Sequence, residues 1–212
     1  MLSEYRVGPV YGSPGSVNPG RSSRHGAAVV AGGGGKYTEG VLQGNCFWAT
    51  AVGASLGTAL TGTAVTLTVY NPLGSGVYAA ILQASFGITT QITAATNSTV
   101  VHAVVDPALA NIIPTSVTAV IVRNCLVGGG QQGRVVAYSA ATLGAAPISA
   151  RIAFHYENLG ARTAEGSISK FNGTDYVDGA LVLMPRFSVT LQGIGTNLVG
   201  TVSYMWEEIP MP

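Results

Sequence analysis

Apolar and polar positions alternate strictly over Val65-Thr-Leu-Thr-Val-Tyr70, which places Val65, Leu67 and Val69 on one face of a strand and Thr66, Thr68 and Tyr70 on the other. Asn71-Pro-Leu-Gly-Ser-Gly76 follows, with φ fixed at Pro72 and permissive at Gly74 and Gly76, so the chain can reverse there and return along Val77 to Gly87. Similar short apolar runs predict strands at Val41 to Thr50, Thr99 to Val105, Val117 to Val122, Val135 to Tyr138 and Ala180 to Leu183. Two more close the chain. Phe187, Val189 and Leu191 share one strand face, and Val202, Tyr204 and Trp206 share another, joined by the hairpin-sized Gly193 to Leu198. Only Asp106 to Ile113 reads as a helix, with Asp106 as N-cap and Pro107 in its first turn. Many short strands without αβ alternation predict an all-β fold, an antiparallel β-sandwich or jelly roll.

Glycine, proline and serine dominate residues 1–36, which predicts an extended arm ahead of a β-sandwich domain at 37–212. Charged residues make up 9% of the 212-residue chain against 47% hydrophobic, far from the roughly 25% charged of ordinary globular proteins. Such a surface is covered by hydroxyls, amides and backbone, or is hidden against other chains, so self-association or a permanent partner is the first functional inference. A net charge of +1 disfavours nucleic acid as the main ligand and marks no membrane surface. The start of the chain lacks the pattern of a secretory signal, and no segment has the length and apolarity of a membrane span, so a cytoplasmic origin is expected.

Candidate chemistry is sparse. Gly32 to Lys36 is followed by Tyr37 where a phosphate loop needs Ser or Thr, and no Gly-x-Ser-x-Gly appears with a strand before it and a helix after it, as a nucleophile elbow requires. His25, His102 and His155 stand apart from one another and from Cys46 and Cys125, whose spacing suits no zinc site, so no metal or cofactor is expected. The cysteines could be bridged or simply buried. Glu207 and Glu208 are the only adjacent carboxylates, and neighbours on a strand point to opposite faces. Tyr70, Tyr78, Tyr138, Tyr156, Tyr176, Tyr204 and Trp206 could supply a glycan platform, with core or interface as the plainer use.

The Asn71-Pro-Leu-Gly-Ser-Gly76 turn after an alternating strand, and the ending Val202-Ser-Tyr-Met-Trp-Glu-Glu-Ile-Pro210, resemble motifs of small β-rich virion proteins of tailed bacteriophages. The resemblance covers these two motifs and the texture from about Tyr37 onward. It implies a structural protein of the phage particle with no catalytic residues. The expectation is a capsid cement or decoration protein on the virion surface, assembled in the host cytoplasm, a homotrimer that clamps adjacent major capsid subunits. Arg6, Arg21 and Arg24 of the arm and Trp206, Glu207 and Ile209 of the tail are the expected contacts. Two alternatives stay open: a tail, fibre or head-spike component that binds host glycans, and the shell-forming subunit of a jelly-roll capsid.

Overall fold

The computed structural model describes residues 21–22, 28–29, 36–89, 96–105, 113–129, 131–158 and 172–212. Contacts divide the chain into Met1–Glu39 and Gly40–Pro212, three residues beyond the compositional boundary at 36. In the first unit β1 (Arg21–Ser22) and β2 (Ala28–Val29) pair antiparallel, and the rest of the expected arm, with Arg6 and Arg24, lies outside the described residues.

The body begins with α1 (Thr38–Leu42) where a strand was expected from Val41. The reason is local. Gly44, at φ 75°, lets its own N–H bond Val41 O and that of Asn45 bond Gly40 O, the paired bonds that close a helix at a left-handed glycine. Strands β3 (Cys46–Ser55), β4 (Thr68–Tyr70), β5 (Val77–Ile88) and β6 (Thr96–Val105) follow. Then come the short β7 (Thr118–Val120), β8 (Arg123–Asn124) and β9 (Val136–Ser139). The chain finishes with β10 (Pro147–Asn158), β11 (Asn172–Leu183), β12 (Ser188–Gly195) and β13 (Val199–Pro210). The helix expected over residues 106–113 falls on residues that are not described, apart from Ile113 at its end.

Two antiparallel sheets form, in the orders β10-β6-β12-β4-β9-β7 and β11-β5-β13-β3-β8. With β7 to β9 set aside, the remaining eight strands alternate between four-stranded sheets, except that β6 and β10 share one. That is the strand order of a jelly roll, and β7 to β9 are an insertion that widens both sheets on one side. The turn at Asn71 to Gly76 and the loop at Gly193 to Leu198 are therefore not hairpins: each carries the chain from one sheet to the other.

The core lies between the sheets. Phe47, Ile81, Phe86, Val100, Val189, Leu191 and Trp206 meet there, with Phe47 stacked on Trp206 at 6.4 Å and Phe86 on Phe154 at 6.1 Å. Gly200 is required by packing: a Cβ there would collide with Gly87 O on the neighbouring strand.

Asn71 explains the turn motif. It is fully buried, and its side-chain amide donates to Val77 O at 2.8 Å and Leu183 O at 3.0 Å. Its backbone N–H donates to Phe187 O and its carbonyl accepts from Arg186 N, so one residue joins the β4–β5 corner to the β11–β12 corner.

Candidate functional site

A set of polar side chains converges between the sheets. Val100, His102 and Val104 occupy alternate positions on β6, so the same periodicity that buries Val100 turns His102 inward, where it is fully buried. From the opposite sheet, β13 brings the equally buried Tyr204 and β11 brings Asp175. His102 Nδ1 lies 3.0 Å from the Tyr204 hydroxyl and Nε2 lies 2.9 Å from Asp175 Oδ2. Arg151 of β10 completes the set, donating Nε to Asp175 Oδ2 at 3.1 Å and a terminal nitrogen to Oδ1 at 2.8 Å.

The donor and acceptor inventory fixes the protons. Asp175 accepts a two-pronged guanidinium, so it is the acceptor for His102 as well, and Nε2 carries the imidazole hydrogen. Nδ1 then accepts from Tyr204. The chain of bonds Tyr204 to His102 to Asp175 from Arg151 leaves no member unpaired and bridges both sheets. Burial lowers the His102 pKa; bonding to Asp175 and its charge oppose that, and the Arg151 charge adds to it. Burial, then the Asp175 charge, hold the Tyr204 hydroxyl protonated well above the usual tyrosine range.

A histidine joined to a carboxylate and a hydroxyl has the parts of a proton relay. Here the hydroxyl is fully buried and faces the core, so the arrangement as folded works as a staple between sheets. Because the His102 pKa is lower folded than unfolded, the unfolded chain binds more protons as pH falls. Stability is thus fully present above the unfolded value near 6.5 and declines below it. Urea titrations at about pH 7.5 and about pH 5.5 are expected to show a lower midpoint in acid, and His102→Gln to flatten that difference.

The carboxy-terminal motif is built into the body. Trp206, expected as an external contact, is fully buried against Phe47; the alternation that pairs it with Val202 and Tyr204 places it in the core. Glu208 accepts the backbone N–H groups of Arg134 and Val135 at 2.9–3.0 Å, which ties β13 to the start of β9. This carboxylate stands in a cleft of about 300 Å³ with Asn45, Gln131 and Arg134. Glu207 points the other way, toward Gly40 and Cys46, and burial raises its pKa. Ile209 is exposed, and the side chain of Arg21 lies outside the described residues, as do Arg6 and Arg24. The tail contacts thus separate: Trp206 serves the core, and Ile209 remains at the surface.

Exposed apolar side chains are spread over the surface, on the inserted segment at Ile121 and Val127 as well as on the long edge strands. Ile148 and Ile152 project from β10, and Tyr176 and Val182 from β11, with Ile152 at 65% and Tyr176 at 61% exposure. The outer face of the five-stranded sheet is neutral around Trp48, Gln83, Ser85, Ser203 and Met205, where a shallow depression of about 180 Å³ lies. Among the described residues no three metal-ligating side chains cluster. Among the described residues no helix is long and apolar enough to cross a membrane. Comparison with protein-family models, curated proteins and solved structures finds no match to this chain.

Proposed function

We propose that the chain is a structural protein of a phage particle, a capsid cement or decoration subunit that associates with itself as a homotrimer and binds between major capsid subunits. The observation that carries this reading is the asymmetry of the sandwich. One side ends in β7 and β8, of three and two residues, while the other ends in two twelve-residue edge strands, β10 and β11, bearing Ile148, Ile152, Tyr176 and Val182. Long edges with apolar side chains are association sites unless something covers them. The low overall charge lowers the desolvation cost of covering them. The motifs that carry the resemblance fit as fold determinants, since Asn71 locks two corners and Trp206 and Glu208 anchor the last strand.

Light scattering on the purified chain at two concentrations tests the reading, followed by binding to phage heads stripped of accessory proteins. The expected result is a trimer that rebinds the heads. A monomer that leaves stripped heads bare overturns it. Ile152→Asp is expected to weaken self-association at least about tenfold, read by analytical ultracentrifugation, with an unchanged thermal midpoint for the body.

The jelly-roll strand order favours a second reading, a shell-forming subunit, because that architecture recurs in viral capsid domains. Closed particles formed by the purified chain alone, seen by electron microscopy, would select it.

A further inference from the structure

We propose that Cys46 and Cys125 form a reversible disulfide across the β3–β8 ladder, an oxidative modification site that fixes the inserted segment to the body. The ladder pairs Phe47 with Asn124 and Trp48 with Arg123, so the next rung sets Cys46 opposite Cys125, whose N–H donates to Cys46 O at 2.9 Å. Directly opposed residues on a hydrogen-bonded rung have Cα atoms about 5.5 Å apart and side chains on the same sheet face. That spacing falls within the range of about 4.4–6.8 Å that a disulfide spans.

The two thiols are free, and they differ in access. Cys46 is buried beneath α1, where a Cβ on Gly40 would stand 2.9 Å from its sulfur. Cys125 is half-exposed and lines the shallow depression beside Trp48 and Met205. Burial, then the charges of Glu207 and of Cys125, push the Cys46 thiol up to about 12, and burial raises Cys125. Thiolate is therefore scarce at both, and oxidation is slow near neutrality.

A disulfide oxidant supplies the balance. The Cys125 thiolate attacks one sulfur of oxidised glutathione, forming a mixed disulfide and releasing one glutathione thiolate. Cys46, deprotonated, then attacks the Cys125 sulfur and releases the second glutathione. Two protein thiols lose two electrons and two protons, and one oxidised glutathione becomes two reduced ones. The bond closes a loop of about 80 residues, at the edge where two-residue β8 is held by β3.

The full chain, folded, is incubated with oxidised glutathione at mildly alkaline pH, quenched with N-ethylmaleimide and read by intact mass and peptide mapping. Expected are a loss of two hydrogens, one peptide joining Cys46 to Cys125, and a thermal midpoint raised by about 5 °C or more that dithiothreitol reverses. In Cys46→Ser the reaction is expected to stop at a glutathione adduct on Cys125. Any of three outcomes in the unmutated chain overturns the proposal: both cysteines remaining fully alkylatable, an adduct on Cys125 that never resolves, or a bond that links two chains.

Discussion

Asp175→Ala is expected to lower folding stability by about 3 kcal/mol, read as a fall in the urea midpoint at unchanged slope. The carboxylate is the shared acceptor of two donors from the opposite sheet, and its side chain is 10% exposed. Its loss strands the Nε2 hydrogen of His102, which is fully buried and has no route to water. Arg151 suffers less. Its side chain is 36% exposed, so the guanidinium recovers solvent, and the expected cost sits at the low end of the range for breaking a buried pair. Asp175→Asn keeps an acceptor for one donor and should cost less than alanine. Equal stability of Asp175→Ala and the unmutated chain would remove the inter-sheet staple from this account.

Trp206→Ala is expected to cost about 3–5 kcal/mol, because it opens a cavity where a fully buried indole stacks on Phe47. Against a usual total of about 5–15 kcal/mol, that is enough to bring the body near its unfolding threshold at room temperature. Three residues on, Ile209→Ala should leave the denaturation curve within about 0.5 kcal/mol, since that side chain is 42% exposed. The pair of variants separates a core role from a contact role within one motif. Weakened capsid attachment in Ile209→Ala with intact stability would mark the end of the tail as a contact. Undiminished stability in Trp206→Ala would contradict the packing described above.

Most strands were legible because alternation reports half-burial directly. Leu67 and Val69 join the core as expected, but Val65 packs into a separate cluster, and Thr66, Thr68 and Tyr70 are buried too. Polarity alone cannot reveal a sheet face covered from outside. Here Gln192, bonded to the backbone of Thr61, and the small cluster of Val65, Val105, Ala141 and Leu143 show that loops pack on that side. β10 went unread because irregularities between Ser149 and Arg151 and between Ile152 and Phe154 break its phase, so Ile148, Arg151 and Phe154 follow no single period. In β11 the part before Ala180 went unread. Its alternation is interrupted at Asp178 and Gly179, both at positive φ, where the register shifts.

The inter-sheet site was visible only as separate residues. His102 could be named as the polar ring in Val100-Val-His-Ala-Val-Val105 and Tyr204 as part of the Val202 to Trp206 face, while nothing marked Asp175 or Arg151. Their meeting was not legible, because His102 and Tyr204 are 102 residues apart and Asp175 is 73 from His102. Inward phase was the available signal: His102 shares the phase of Val100, Tyr204 that of Val202 and Trp206, and Asp175 that of Val177. Polar residues in the apolar phase of facing strands must find one another or water.

The strand order also governs when the molecule can come into being during its synthesis. Among the described residues no ladder in the sandwich joins successive strands, and the two sandwich strands made last, β12 and β13, take interior places: β12 between β6 and β4, β13 between β5 and β3. Until they arrive, each sheet is two separate halves with exposed inner edges and half a core. The earlier strands must therefore wait, in need of protection from their neighbours, until β13 has been made, and both sheets then close in one late, slow, cooperative step.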